Sequence, residues 1–393
     1  MNWLDYFVIL AGLGAAIWLA IKLRRKYRMA RNVRRPGDKT HDYPVRQDWS
    51  KSSAKVNYSS FVFYDVDRDG RYGLADRPIT GIHVRLYNDE THLRRSVSNI
   101  NGFANFLSST TLRRAPIRKP GAYRFEVSVP PGWRVTSRND IQTAQFSAMP
   151  GSPAGIGAEA MLRPVGLAPL RWIGGMVNKD GISIEALANG EVLASQTPAS
   201  GSRFRFELPE ETDCVRLFRE GASVTFAPGA CPVELGTIAP EQSVLSDTSD
   251  LRTIGFDDLT ASGLKKVPNG YAGLDWFNLN AMSREFTSNS FGYSNGTTSG
   301  DYAVYTSSGH PAEISRDEPF SLFSMMLTAA WAQSEGETAL VECWNGETLL
   351  RSDEVAVSSL TPVRHMPMLP AVTRIRVSTR HYWQLVIDDI VIA

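Results

Sequence analysis

The sequence predicts an all-β protein: one N-terminal transmembrane helix followed by three β-sandwich domains. Three observations predict it. An apolar run of membrane-spanning length lies near the start of the chain. Short stretches of alternating apolar and polar residues recur from Tyr58 to the end. Gly, Pro, Asn and Asp turns separate those stretches, and no long amphipathic helical period interrupts them.

The first element, residues 1–22, is read as an anchor. From Tyr6 to Ile21 the chain reads YFVILAGLGAAIWLAI, with Trp3 and Trp18 near the two ends. Amphipathic rings favour the membrane interface, and with Trp3 and Leu4 the run approaches the roughly 20 residues needed to span hydrocarbon. Small residues Gly12, Ala15 and Ala16 fall three or four apart and so share one helix face, a close-packing surface for another integral membrane subunit. Then comes KLRRKYRMARNVRR, eight Lys or Arg with no acid before Asp38. Lys22, Arg24, Arg25, Lys26 and Arg28 are candidate partners for lipid phosphates. Cations stay on the cytoplasmic side, so the expected topology places the N-terminus outside the plasma membrane and the β-domains in the cytoplasm. A secretory leader would carry its cations before the apolar run, not after it.

Composition is otherwise ordinary for a globular protein, with a net charge of +1. The basic run is offset by a neutral-to-acidic remainder, which argues against nucleic acid as a partner. Cys214, Cys231 and Cys343 form no CxxC and have no His at zinc spacing. Cys214 and Cys231 are expected to be reduced thiols in a cytoplasmic body, and to be able to pair in an oxidising compartment.

Residues 23–57 are basic and then polar, a juxtamembrane tether. The first sandwich, 58–165, carries the sharpest motif: Asp65-Val-Asp67-Arg-Asp69-Gly70-Arg71-Tyr-Gly73-Leu-Ala-Asp76. Hard oxygens at alternate positions, Gly at the sharp turn and a closing carboxylate are the pattern of a calcium loop. Asp65, Asp67, Asp69, Asp76 and the Arg71 carbonyl are the candidate ligands. Asp76 is shorter than the usual bidentate Glu, and no helices flank the loop. The alternative is an Asp-rich turn whose side chains bond their own backbone.

FVFYDVDRDGRYGLADRPITGIHVRLYN, followed by Ser98-Asn-Ile-Asn-Gly102-Phe-Ala-Asn-Phe106, resembles the B-type repeats of bacterial surface adhesins. That resemblance implies a prealbumin-like sandwich with structural calcium at Asp65, Asp67, Asp69 and Asp76. It also implies an extracytoplasmic body, against the charge rule.

The middle segment, 168–240, is similar to small carbohydrate-associated β-modules and offers no candidate site. The third domain, 253–393, opens IGFDDL and closes LVIDDIVI. With Pro268–Trp276, Ser290–Gly296 and Ser299–Tyr305 between, it resembles a galactose-binding-like jelly-roll family. First and last strands of such folds are neighbours, so Asp257 and Asp258 are expected near Asp388 and Asp389. Opposed carboxylates repel unless a cation or proton relieves them, which makes these four a second candidate metal site. Tyr271, Trp276, Phe277, Tyr293 and Tyr302 are either core or a sugar-stacking platform.

No catalytic set emerges. The six His are scattered, and the sequence lacks a G-x-S-x-G elbow, a phosphate loop and a dinucleotide fingerprint. No enzymatic activity and no cofactor other than calcium is expected. Two functional readings follow. The first is a single-pass structural subunit that braces a larger bacterial membrane complex, as the single-helix H subunit of photosynthetic reaction centres does by layout alone. The alternative is a calcium-stabilised glycan-binding or adhesion protein with its β-domains periplasmic or extracellular.

Overall fold

A computed structural model describes residue 48 and residues 56–219, 222–238, 251–259, 264–284 and 291–393. Among the described residues no helix is long and apolar enough to cross a membrane. The anchor, with its Gly12, Ala15 and Ala16 face, and the cations Lys22, Arg24, Arg25, Lys26 and Arg28 lie outside the described residues.

The described body is mostly strand and divides into two compact units. The first unit takes in residues up to 167, except 130–134. Strand Asn57–Tyr64 pairs antiparallel with Phe103–Leu107 and parallel with the strand Val165–Pro169. A second sheet runs in the order Thr91–Val97, His83–Asn88, Gly121–Val127, Ile141–Ala148, Ile156–Ala158. In Gly121–Val127 alternate residues Tyr123, Phe125 and Val127 are buried, as period-2 side-chain alternation requires of a sheet with one wet face.

Strand Asn57–Tyr64 departs from that alternation and is buried at seven consecutive positions. Tyr58 packs on Phe125 and Phe146 at ring separations of 5.3 and 4.9 Å. Phe61 and Phe63 are covered instead by Tyr72, at 4.8 and 5.2 Å, and by Phe103. Tyr72 belongs to the Asp-rich loop, so this apolar cover folds the loop back over the strand that precedes it. The segment read as tether also contributes to this unit. Asp48 is fully buried and accepts hydrogen bonds from Asn99 Nδ2 at 2.6 Å and Asn105 Nδ2 at 2.8 Å.

The segments read as second and third domains both lie in the second unit. A four-stranded sheet of Glu191–Gln196, Ser183–Ala188, Cys214–Arg219 and Ala222–Phe226 faces the strands Arg203–Glu207, Trp172–Val177 and Val233–Ile238 across a core of Ile173, Ile184, Val215 and Val233. Val233–Ile238 then pairs parallel with Val363–His365, matching Val233 to Arg364 and Glu234 to His365. The sheet continues from there through Ala312–Ala329, Leu385–Ile392, Tyr302–Thr306 and Leu279–Ser283.

Ala312–Ala329 is an 18-residue strand that changes partner along its length. Its first part pairs with Leu369–Thr379 and its later part with Leu385–Ile392, and register shifts around Phe320 mark where it bends. Arg252–Ile254 pairs with the last strand, Thr253 opposite Val391. Among the described residues no disulfide joins the cysteines.

Candidate metal centre and aromatic loop cluster

Strand Asn57–Tyr64 ends against the core, and the next residue, Asp65, is fully buried. Its Oδ2 accepts the Gly70 N–H at 2.8 Å, which curls the loop into a tight turn. Gly70 has φ +79°, where an L side chain is strained. Asp76 closes the loop: its Oδ1 accepts the Val66 N–H at 2.9 Å and its Oδ2 the Gly73 N–H at 2.6 Å.

These bonds bring Asp65, Asp67 and Asp76 together with one oxygen each, all within 4.8 Å of one another. Two oxygens at about 2.4 Å from a common calcium ion are at most about 4.8 Å apart, so the three fit one ion. Asp69 is not in this group; its Oδ1 accepts the Arg71 N–H at 2.7 Å. Arg71 is exposed.

The electrostatics point the same way. Burial pushes the Asp65 carboxyl above its usual range, and Asp67 beside it adds to the rise. Asp76 is pushed up to about 6, by burial first and then by Asp67 and Asp65. Asp65 Oδ1 is buried and has no hydrogen-bond donor. An orphaned carboxylate oxygen facing two more acids suits a hard cation, which would supply both the missing ligand bond and the missing charge.

The second acid set is arranged differently. Asp388 is fully buried, and its Oδ2 accepts Thr298 N–H at 2.7 Å, Thr298 O–H at 3.0 Å and Ser299 N–H at 3.2 Å. Asp389 accepts the Ser299 hydroxyl at 2.6 Å, and Asp257 Oδ1 accepts Asp301 N–H at 2.7 Å. Asp258 accepts the Tyr271 hydroxyl. Asp257, Asp388 and Asp389 therefore converge on one loop, 298–302, and hold it by donors that the loop itself supplies. Burial, with Asp389 next to it, pushes Asp388 up to about 8.

Of the five aromatics considered for sugar stacking, Trp276 and Tyr293 are buried and Tyr271 and Tyr302 half-buried. Only Phe277 is displayed, at 64% exposure. Tyr382 (68%) and Trp383 (38%) are displayed as well. They sit in the turn Arg380-His381-Tyr382-Trp383 between two strands, a run of large side chains with no Gly or Pro. That composition, unusual in a turn, is the signal a sequence reading had available.

Three loop segments are fastened together here. Asn278, at φ +59°, donates from Nδ2 to the carbonyls of Ser307, His310 and Pro311 at 3.0–3.2 Å. A Cβ on Gly309 would lie 1.7 Å from the Tyr382 carbonyl oxygen, so only glycine allows that approach. Thr379 Oγ1 donates to the Trp383 carbonyl at 2.7 Å, and the His310 and Tyr382 rings lie 6.4 Å apart. His381 and Arg380 pair with Glu337 and Glu354 at 3.0 and 2.8 Å, framing the rings with polar groups.

No protein-family model and no curated protein matches the chain. Solved structures similar to it include the Bacillus anthracis TIE protein, at 12% identity over 47% of this chain with a TM-score of 0.21. This chain spans 34% of that protein's length. The CBM51 domain from Clostridium perfringens GH95, solved with methyl-galactose, is 8% identical over 36% of this chain and all of its own, TM-score 0.21. The major pilin from Streptococcus pyogenes is 9% identical over 79% of this chain and 97% of its own, TM-score 0.21.

Proposed function

We propose that this chain is a non-catalytic, calcium-stabilised β-sandwich protein that binds a carbohydrate at the loop end of its second unit and faces the cell envelope. The observation that carries this reading is the display of Tyr382 and Trp383 on a loop and of Phe277 at the end of strand Asp275–Phe277, with hydrogen bonds and a close glycine approach holding these segments in place. Aromatic side chains present an apolar face with a negative quadrupole, suited to the C–H face of a sugar ring. Framing polar groups from Arg380, His381 and His310 suit its hydroxyls, and pre-fixed loops lower the ordering cost of binding.

The reading as a brace for a membrane complex draws on residues 1–35, outside the described residues, and nothing in the described body favours it. The envelope reading sets aside the charge bias of those residues. Digestion of the body by protease added to intact spheroplasts supports it, and a protected body returns the chain to the brace reading.

The direct test screens the full chain in mild detergent against an array of bacterial and host glycans, then titrates the best ligand. Tyr382→Ala with Trp383→Ala is expected to weaken binding at least tenfold at unchanged thermal stability, the loss of about 1.4 kcal/mol or more of stacking. A chain that binds no glycan, or a double variant that binds as well as the parent, overturns the proposal.

A further inference from the structure

Charge is distributed unevenly along the chain. Residues 1–167 carry 26 Lys and Arg against 13 Asp and Glu, and residues 168–393 carry 16 against 28. In the first unit part of that excess gathers on the edge strand Thr91–Val97, where residues 91–95 are all exposed. Arg95 stands directly opposite Arg85 on the neighbouring strand, an arrangement of like charges that costs stability unless an anion relieves it. Arg85 reaches Glu126 only at 3.8 Å. His83 lies beside both arginines, and its buried Nδ1 has no hydrogen-bond partner. Burial and then the fields of Arg95 and Arg85 lower its pKa, as a local excess of positive charge would.

Asp48 relates this strand to the membrane anchor read from the sequence. The Asn99 amide that Asp48 holds at 2.6 Å is two residues beyond the end of the arginine-bearing strand. Asp48 also bonds Asn105 and Ser59, so it is fixed to the first unit near the C-terminal end of that strand. From Arg35, the last cation of the basic run, to Asp48 is 13 residues, a reach of at most about 45 Å when fully extended.

We infer that the free edge of strand Thr91–Val97, with Arg95 and Arg85 on one face and Arg94 on the other, is a docking surface for an anionic lipid bilayer, engaging headgroup phosphates edge-on near the point where Asp48 fastens the juxtamembrane chain. Guanidinium groups bind phosphate bidentately, and basic residues near a membrane act only within about a Debye length of roughly 8 Å, so the edge must lie on the surface to contribute. The inference is independent of glycan binding and holds for either leaflet, since it requires only anionic headgroups.

The test is hydrogen-exchange mass spectrometry on the full chain in nanodiscs of neutral lipid and of lipid with about one-third phosphatidylglycerol. In anionic discs, peptides covering 91–97 are expected to exchange at least fivefold more slowly, while peptides covering 141–148 are unchanged. About 0.5 M salt should abolish that protection, as should Arg94→Gln with Arg95→Gln, two exposed positions where thermal stability is expected to hold. Equal exchange in both lipids, or protection that survives the double substitution, overturns the inference. Equal protection in neutral discs by inorganic phosphate or by heparin also overturns it, in favour of a soluble-anion site or a polyanion partner. A chain that does not co-elute with the anionic discs overturns it as well.

Discussion

His365 Nε2 lies 3.3 Å from Asp353 Oδ2 in the interior of the second unit, both side chains almost completely buried. Arg351 Nε approaches the same carboxylate oxygen at 3.0 Å and donates through its terminal nitrogens to the carbonyls of Pro367 and Leu235. Asp353 also accepts the Thr237 N–H at 2.9 Å. One carboxylate thus links strand Thr348–Ala356 to Val233–Ile238. Removing it leaves a buried guanidinium without a counter-charge, which typically costs 3–5 kcal/mol. Asp353→Asn should lower the unfolding midpoint of the second unit by several degrees. An unchanged midpoint in calorimetry would show that Arg351 is satisfied by carbonyls alone.

The same unit should lose stability as pH rises through the neutral range. Glu234 is pushed up to about 7 by burial, with Asp353 adding to the rise, and Asp388 is pushed up to about 8. A carboxyl whose folded pKa is raised contributes stability below its unfolded value, near 4, and loses it as pH climbs through the folded value. Glu234→Gln with Asp388→Asn should flatten the fall between about pH 4 and 8 in a thermal-shift series. His365 acts in the opposite sense. Burial holds its pKa down, so its contribution is lost as pH falls below the ordinary value of 6.5.

Calcium should raise the unfolding midpoint of the first unit. At about 100 times Kd a ligand specific to the folded state adds about 2.7 kcal/mol. Asp65→Asn or Asp67→Ala should abolish the gain, whereas Asp69→Ala should keep most of it, because Asp69 caps Arg71 rather than joining the cluster. Without the ion, the raised Asp76 pKa predicts falling stability from about pH 4 to 6, and calcium should remove that slope. Identical midpoints with calcium and with chelator would make the loop a metal-free turn.

Gly102 should not tolerate alanine. Its φ is +77°, and a Cβ there would sit 2.5 Å from the Val62 carbonyl oxygen and 2.7 Å from the Phe61 ring. The expected cost is about 2–4 kcal/mol, read as a lower denaturant midpoint for the first unit. A loss under about 0.5 kcal/mol would mean that the turn relaxes at little cost.

Local pattern made much of this protein legible. RFRFE alternates buried and exposed as read, and so does GAYRFEV. The spacing of the Asp-rich loop identified three of the acids that meet, but it could not separate Asp69, because cluster or cap is decided by where each side chain turns. Strand Ala312–Ala329 shows no clean alternation in sequence, because Arg316, Asp317, Glu318 and Pro319 interrupt its apolar pattern near the register shifts around Phe320. The pairing of Val233–Ile238 with Val363–His365 joins segments some 130 residues apart, and a short strand gives no local sign of its partner. The aromatics could not be sorted into core and displayed from sequence for a related reason: Trp276 and Phe277 are adjacent, and the pleat sends one inward and the other out.

The parallel pairing at Val233–Ile238 also bears on how the protein can be taken apart or rearranged. A fragment ending near residue 240 would lose Phe323, Met366 and Met368 from its core and bare an extended edge whose N–H and C=O groups normally face Val363–His365, leaving it prone to self-association. A fragment begun near residue 251 would lack the strand that bonds Arg351, Asp353 and His365. The polar stretch after Ile238 looks like a linker in the sequence, yet a cut there separates strands that pair with one another.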